Sequence, residues 1–314
     1  MDLSAEIRGL KIDPAWMNAS GILANLGALR KALPPEHTGA YVSKSIGLKP
    51  KTGFMEPVIY HTKSYTLNCV GLTNIGCEEA EKELEELYPF PKPLIVDIFG
   101  DKEELIKIAK PLEKYYDAVQ INYGCPNLTE SENYGLAVGV NPILVKEYTK
   151  AVRDNVSSRK PVIAKLTPNV PKIEKIAQAA EEGGADVIAV INTIAPAMKI
   201  NIREKRPILS NTYGGLSGPA ITPVGVACVH KIYKVVDTPI IGMGGIRLDN
   251  AEDYLEFVED GASACAIGSD IAEKSDEELV KSFKGFRMEI EDFIEEMNVS
   301  SIKELVGVAN QTKS

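Results

Sequence analysis

Eight short and nearly continuous apolar runs recur along this chain, at 15–19, 41–43, 94–98, 118–121, 162–166, 187–191, 240–243 and 264–267. They lack the in-and-out alternation of a half-exposed strand. Unbroken runs of this length read as strands covered on both faces, as in a parallel sheet wrapped by helices. Between them the apolar positions change period. Ile173, Ile176, Ala177 and Ala180 recur at helical spacing, as do Ala251, Tyr254, Leu255 and Val258, each set lining one face of a helix. Glycines at 183, 184 and 261 then end these helices and lead into the next strand. Eight strands with intervening helices in 314 residues predict an α/β fold of the (β/α)8 barrel type. The alternative, an open doubly wound sheet, lacks its usual GxGxxG after the first strand. No linker or low-complexity tract divides the chain, so 1–314 is expected to form a single domain.

Two connections, 45–77 and 194–222, are longer than a barrel needs, and their glycine, proline, aromatic and branched residues suit ordered lids. In a barrel the chemistry sits at the C-terminal ends of the strands. Those ends carry Asn18 to Gly21, Lys44 and Ser45, Asp97, Asn122, Lys165, Asn192 and Thr193, Gly244 and Gly245, and Gly268 and Ser269. A single lysine at a strand end usually reaches solvent. Two lysines closing apolar strands instead call for an anionic or electron-rich partner. Glycines after the last two strands suit a phosphate, because bare backbone N–H groups then point at its oxygens. Gly218, in the glycine-rich stretch 214–218, extends the same cradle. In Asn122-Tyr123-Gly124-Cys125-Pro126-Asn127 a cysteine stands between two asparagines. Read alone, the thiol is either a packing group or a proton acceptor, with carboxamides placed to hold a flat polar ring.

Composition narrows the ligand. Lys and Arg number 35 against 44 Asp and Glu, a net charge of −9 that argues against nucleic acid as a partner. The Glu-rich runs 78–86 and 276–278 read as solvated helix faces. Five cysteines, at 69, 77, 125, 228 and 265, show no CxxC spacing, which speaks against a zinc or iron–sulfur site and for reduced thiols in the cytoplasm. No stretch has the length of a membrane span. His37, His61 and His230 lack metal spacing and read as surface or packing residues. Glycine cradle, lysines and amides together imply an organic phosphate cofactor.

These residues fall into an ordered series: Ala19-Ser20-Gly21, Lys44, Asn68-Cys69-Val70-Gly71-Leu72-Thr73-Asn74, Asn122 through Asn127, Lys165-Leu166-Thr167-Pro168-Asn169, Ile191-Asn192-Thr193, 215–220, 242–245 and Gly268. In that order they resemble the class 1 dihydroorotate dehydrogenases, FMN-containing barrels of pyrimidine biosynthesis, over most of the chain. The resemblance implies that Cys125 removes the C5 proton of dihydroorotate while hydride leaves C6 for flavin N5. It implies a substrate site of Lys44, Asn68, Cys69, Val70, Gly71, Leu72, Asn122, Asn127, Asn192 and Thr193. It implies an FMN site of Ala19, Ser20, Gly21, Lys44, Ser45, Asp97, Asn122, Lys165, Ile191, Gly218, Gly244, Gly245, Gly268 and Ser269, with Lys165 at the pyrimidine end of the flavin.

Asn192-Thr193, Arg206-Pro207-Ile208-Leu209 and 214–220 are most similar to the 1B catalytic subunits. Those pair with a second subunit carrying FAD and a 2Fe–2S cluster that relays electrons to NAD, implying a homodimer or heterotetramer. Two positions depart from that pattern: Asp97 stands for a common asparagine, and Gly124 for a common serine. Alternatives are a dihydropyrimidine dehydrogenase-like FMN oxidoreductase, or a non-catalytic flavin-binding subunit. The electron acceptor is open among NAD through a partner, fumarate or another oxidant.

Overall fold

The structure, a computed structural model, describes residues 1–23, 25–126 and 133–311. The eight apolar runs become eight strands: β1 (Trp16–Asn18), β2 (Tyr41–Val42), β3 (Leu94–Ile98), β4 (Ala118–Asn122), β5 (Val162–Leu166), β6 (Val187–Val190), β7 (Ile240–Met243) and β8 (Ala262–Ile267). They pair in parallel, in the order β1-β8-β7-β6-β5-β4-β3-β2. With helices between them this is the expected (β/α)8 barrel. The seam between β1 and β2 is joined by a side chain. Asn18 donates from Nδ2 to the Val42 carbonyl at 2.7 Å, and its Oδ1 accepts from the Val42 N–H at 3.0 Å. Asn18→Ala is expected to cost about 2–4 kcal/mol, since it leaves buried backbone groups unpaired. Denaturant unfolding reads this, and an unchanged midpoint would show that the seam does not depend on Asn18.

Every residue of β3, β4, β5 and β6 is buried, which accounts for their unbroken hydrophobicity. Burying each Val, Ile or Leu contributes about 1.5–3 kcal/mol. Only a few polar side chains interrupt these strands, among them Asp97, Gln120, Asn122 and Lys165, at 0%, 3%, 6% and 5% exposure. The register sets their levels: Asp97 lies opposite Gln120, and Asn122, one layer higher, lies opposite Lys165. Outside the sheet, the helices Ile173–Glu182 and Ala251–Glu259 bury the apolar faces read from their spacing. The Glu-rich run forms the helix Cys77–Leu87, which buries Cys77, Ala80 and Leu84. The acidic stretch 276–278 opens the helix Asp276–Glu296 behind a capping box of Ser275 and Glu278. Among the described residues no helix is long and apolar enough to cross a membrane.

The two long connections pair with each other. Ile194–Ala197, Gly214–Ser217, Thr66–Asn68 and Ile59–His61 form one antiparallel sheet in that order. The neck of the first connection is held by Asn74. Its backbone exchanges two 3.0 Å bonds with Lys51, and its Oδ1 accepts from the Gly47 and Gly76 N–H groups.

Candidate active site

A cavity of about 1120 Å³ lies at the C-terminal ends of the strands, with the lid sheet contributing one wall. Ligand pockets usually occupy about 300–1,000 Å³, so there is room for a cofactor and a substrate together. Nearly all the rim residues read from the sequence line it. β1 leads to Ala19, Ser20 and Gly21, β2 to Lys44 and Ser45, and β4 supplies Asn122 and leads to Cys125. β5 supplies Lys165, and β6 leads to Ile191, Asn192 and Thr193. Gly244 and Gly245 follow β7, Gly268 and Ser269 follow β8, and the lids add Asn68, Val70, Gly71, Leu72 and Gly218.

Three residues stand apart. Asn127 lies outside the described residues. Cys69 is fully buried among Val58, Leu67 and Leu209, because the alternation of an extended segment turns it away from the face that Asn68 and Val70 share. Asp97 is beneath the cavity rather than on its wall, since the register puts it one layer below Lys165. His61, exposed as its surface reading expects, also borders the cavity. Its Nδ1 is 2.5 Å from Glu273 Oε1 and 2.8 Å from Thr66 Oγ1, and Thr66 donates to the same carboxylate at 3.0 Å. This cluster ties the lid to the segment after β8.

The floor is a connected set of amides and hydroxyls. Ser45 accepts from Asn122 Nδ2 at 3.0 Å and donates to Asp97 at 2.5 Å. Asn122 Oδ1 accepts from the Gly124 N–H and from Asn192 Nδ2, both at 3.1 Å. Asn192 Oδ1 accepts from the Thr193 N–H at 2.7 Å. Both amide oxygens are thus held within the protein, and each amide nitrogen keeps an N–H for a ligand. Gly124 makes this packing possible, for a Cβ there would stand 2.5 Å from Asn192 Cβ. Gly124→Ala is expected to push Asn192 aside and weaken binding of the cavity's ligand about tenfold. Titration with the cavity's ligand reads this, and unchanged affinity would remove Asn192 from the binding face.

Charge is unevenly placed. Burial lowers the pKa of Lys44, and that of Lys165 too, although Asp97 and Cys125 oppose the shift at Lys165. Neither side chain has an ion-pair partner among the described residues, so both amino groups stay available to a ligand in the cavity they line. Cys125 faces the cavity from an apolar cluster with Leu72 and Phe99, packed by Tyr134. At the far side the cradle is bare backbone. Gly245 has φ +85°, and a Cβ there would meet Thr222 Oγ1 at 2.3 Å and the Gly218 carbonyl at 2.7 Å. Ser269 Oγ donates to Ser217 Oγ at 3.0 Å and so binds the end of β8 to the lid. Cavity size, glycine cradle, amide floor and the two lysines fit an organic phosphate with a flat polar ring.

Residues 2–294 match the family model described as dihydroorotate dehydrogenase. Three similar proteins carry the name dihydroorotate dehydrogenase B (NAD(+)), catalytic subunit. The one from Methanocaldococcus jannaschii is 39% identical over 98% of each chain. That from Pyrococcus horikoshii is 39% identical over 98% of this chain and 97% of its own. That from Methanothermobacter thermautotrophicus is 36% identical over 98% of each chain.

Proposed function

The chain belongs to the dihydroorotate dehydrogenase family, and from that premise we propose that it oxidises (S)-dihydroorotate to orotate on bound FMN in the cytoplasm, handing the electrons to NAD through a partner subunit. The observation that carries this reading is the pair of unpaired ammoniums, Lys44 and Lys165, above a floor of amide N–H donors with Cys125 beside it. An anionic ring with carbonyl groups meets all of them.

Gly218, Gly244, Gly245, Gly268 and Ser269, all cavity lining, would hold the FMN phosphate, and Ala19, Ser20, Gly21, Ser45 and Ile191 would line its ring. FMN, when bound, supplies the hydride acceptor. Lys44 pairs with the substrate carboxylate, and Asn68, Asn122, Asn192 and Thr193 hold the ring amides, together with Asn127. Cys125 Sγ, as thiolate, takes the C5 proton as hydride leaves C6, and the C5–C6 double bond forms from these two losses. Lys165 places positive charge where the reduced cofactor gathers negative charge. Leu72, Phe99 and Tyr134 pack around the thiol on its protein side.

The relatives are named as catalytic subunits, and a partner carrying FAD and a 2Fe–2S cluster supplies the step to NAD. Purification with associated proteins tests this. The expected outcome is released FMN, a copurifying flavin and iron–sulfur subunit, and dihydroorotate-dependent NAD reduction. Full activity toward another acceptor in the bare chain would overturn the NAD branch of the reading.

A further inference from the structure

Asp97 is closed off from solvent at 0% exposure, directly beneath the cavity floor. Its Oδ2 accepts from the Ser20 and Ser45 hydroxyls, each at 2.5 Å, and its Oδ1 from Gln120 Nε2 at 3.0 Å. An ionised carboxylate only accepts, and here every neighbour donates. No cation stands within ion-pair distance of it among the described residues, and Lys165, one layer up, interacts with it through space. A buried charge held by neutral donors alone is costly, and its field is weakly screened. Two of its donors, Ser20 and Ser45, are themselves cavity lining. The charge is therefore one side chain away from whatever rests on the floor.

We propose that Asp97 sets the electron affinity of the flavin: a fixed negative charge under the floor that opposes the incoming electrons and loosens the hold on anionic orotate. This rests on the reading of the cavity as an FMN and orotate site. Lys44 and Lys165 draw negative charge in, and Asp97 offsets part of that pull. Reduced flavin then gives its electrons up more readily, and orotate leaves more easily. Asp97 acts through Ser20, Ser45 and space, which makes it a positioning residue.

The test uses the flavin-loaded full chain, with wild type and variants compared at one fixed pH. Asp97→Asn keeps the shape and removes the charge, and Asp97→Ser removes the charge with different contacts. Both are expected to raise the flavin midpoint potential, measured by dye-coupled chemical reduction without substrate. Both are expected to tighten orotate binding roughly three- to tenfold, as loss of a nearby like charge would. A merely structural Asp97 would instead weaken orotate binding and leave the potential in place. Potentials that are unshifted or lower in both variants overturn the role of Asp97 alone, provided wild-type protein holds flavin and orotate. Wild-type protein that holds no flavin overturns the functional reading and this one together.

Discussion

Cys125→Ser is expected to lower dihydroorotate turnover about a hundredfold to ten-thousandfold near neutral pH, the usual worth of a placed general base. Serine preserves size and reach, but its hydroxyl gives up a proton far less readily than a thiol. An ordinary thiol, with a pKa of about 8.5, already has a small thiolate fraction at neutral pH. Turnover of the serine variant should therefore recover in part as pH rises. Cys125 sits among Leu72, Phe99 and Tyr134, away from the Gly244–Gly245 and Gly268–Ser269 cradle, so FMN should stay bound. The check is a pH–rate profile alongside the flavin spectrum. A serine variant with wild-type turnover at neutral pH would end the assignment of the base.

Lys44→Met is expected to weaken orotate binding about ten- to a hundredfold, the cost of losing a charge-assisted contact to a carboxylate. Methionine keeps much of the apolar stem, so the loss reports on the ammonium rather than on packing. Titration followed by the flavin spectrum measures it, and unaltered affinity would remove Lys44 from the site. The wild-type pH dependence gives the sign independently. Burial lowers the Lys44 pKa below the ordinary lysine value. Orotate binding needs the charged form, so affinity should be full at lower pH and decline as pH rises through that lowered value. The decline should begin sooner than for an exposed lysine. In Lys44→Met that part of the pH dependence should vanish.

The barrel was legible because strands buried on both faces leave unbroken apolar runs, and the rim because function in such a barrel collects at strand ends. What was not legible depended on direction or on distant pairing. Asp97 and Lys165 each stand one residue before the end of their strand, and the sequence treats them alike. The stagger of the sheet, however, places Asp97 level with Gln120 and Lys165 level with Asn122, one layer higher. Lys165 consequently lines the cavity while Asp97 lies under it. The lid strands are three or four residues long, too short to show a period, and the pairing that joins the two connections, Thr66–Asn68 with Gly214–Ser217, spans a long stretch of chain. The partnership of His61 with Glu273 had no sequence signal for the same reason. The side taken by Cys69 did have one: the alternation of Asn68, Cys69 and Val70 along an extended segment.

Anaerobic mixing of the flavin-loaded chain with dihydroorotate tests the central claim most directly. Bleaching of the flavin's visible band, with one orotate formed for each flavin reduced and no bleaching by dihydrouracil, is the predicted result. A flavin that stays oxidised with dihydroorotate, or that dihydrouracil bleaches equally well, would contradict it.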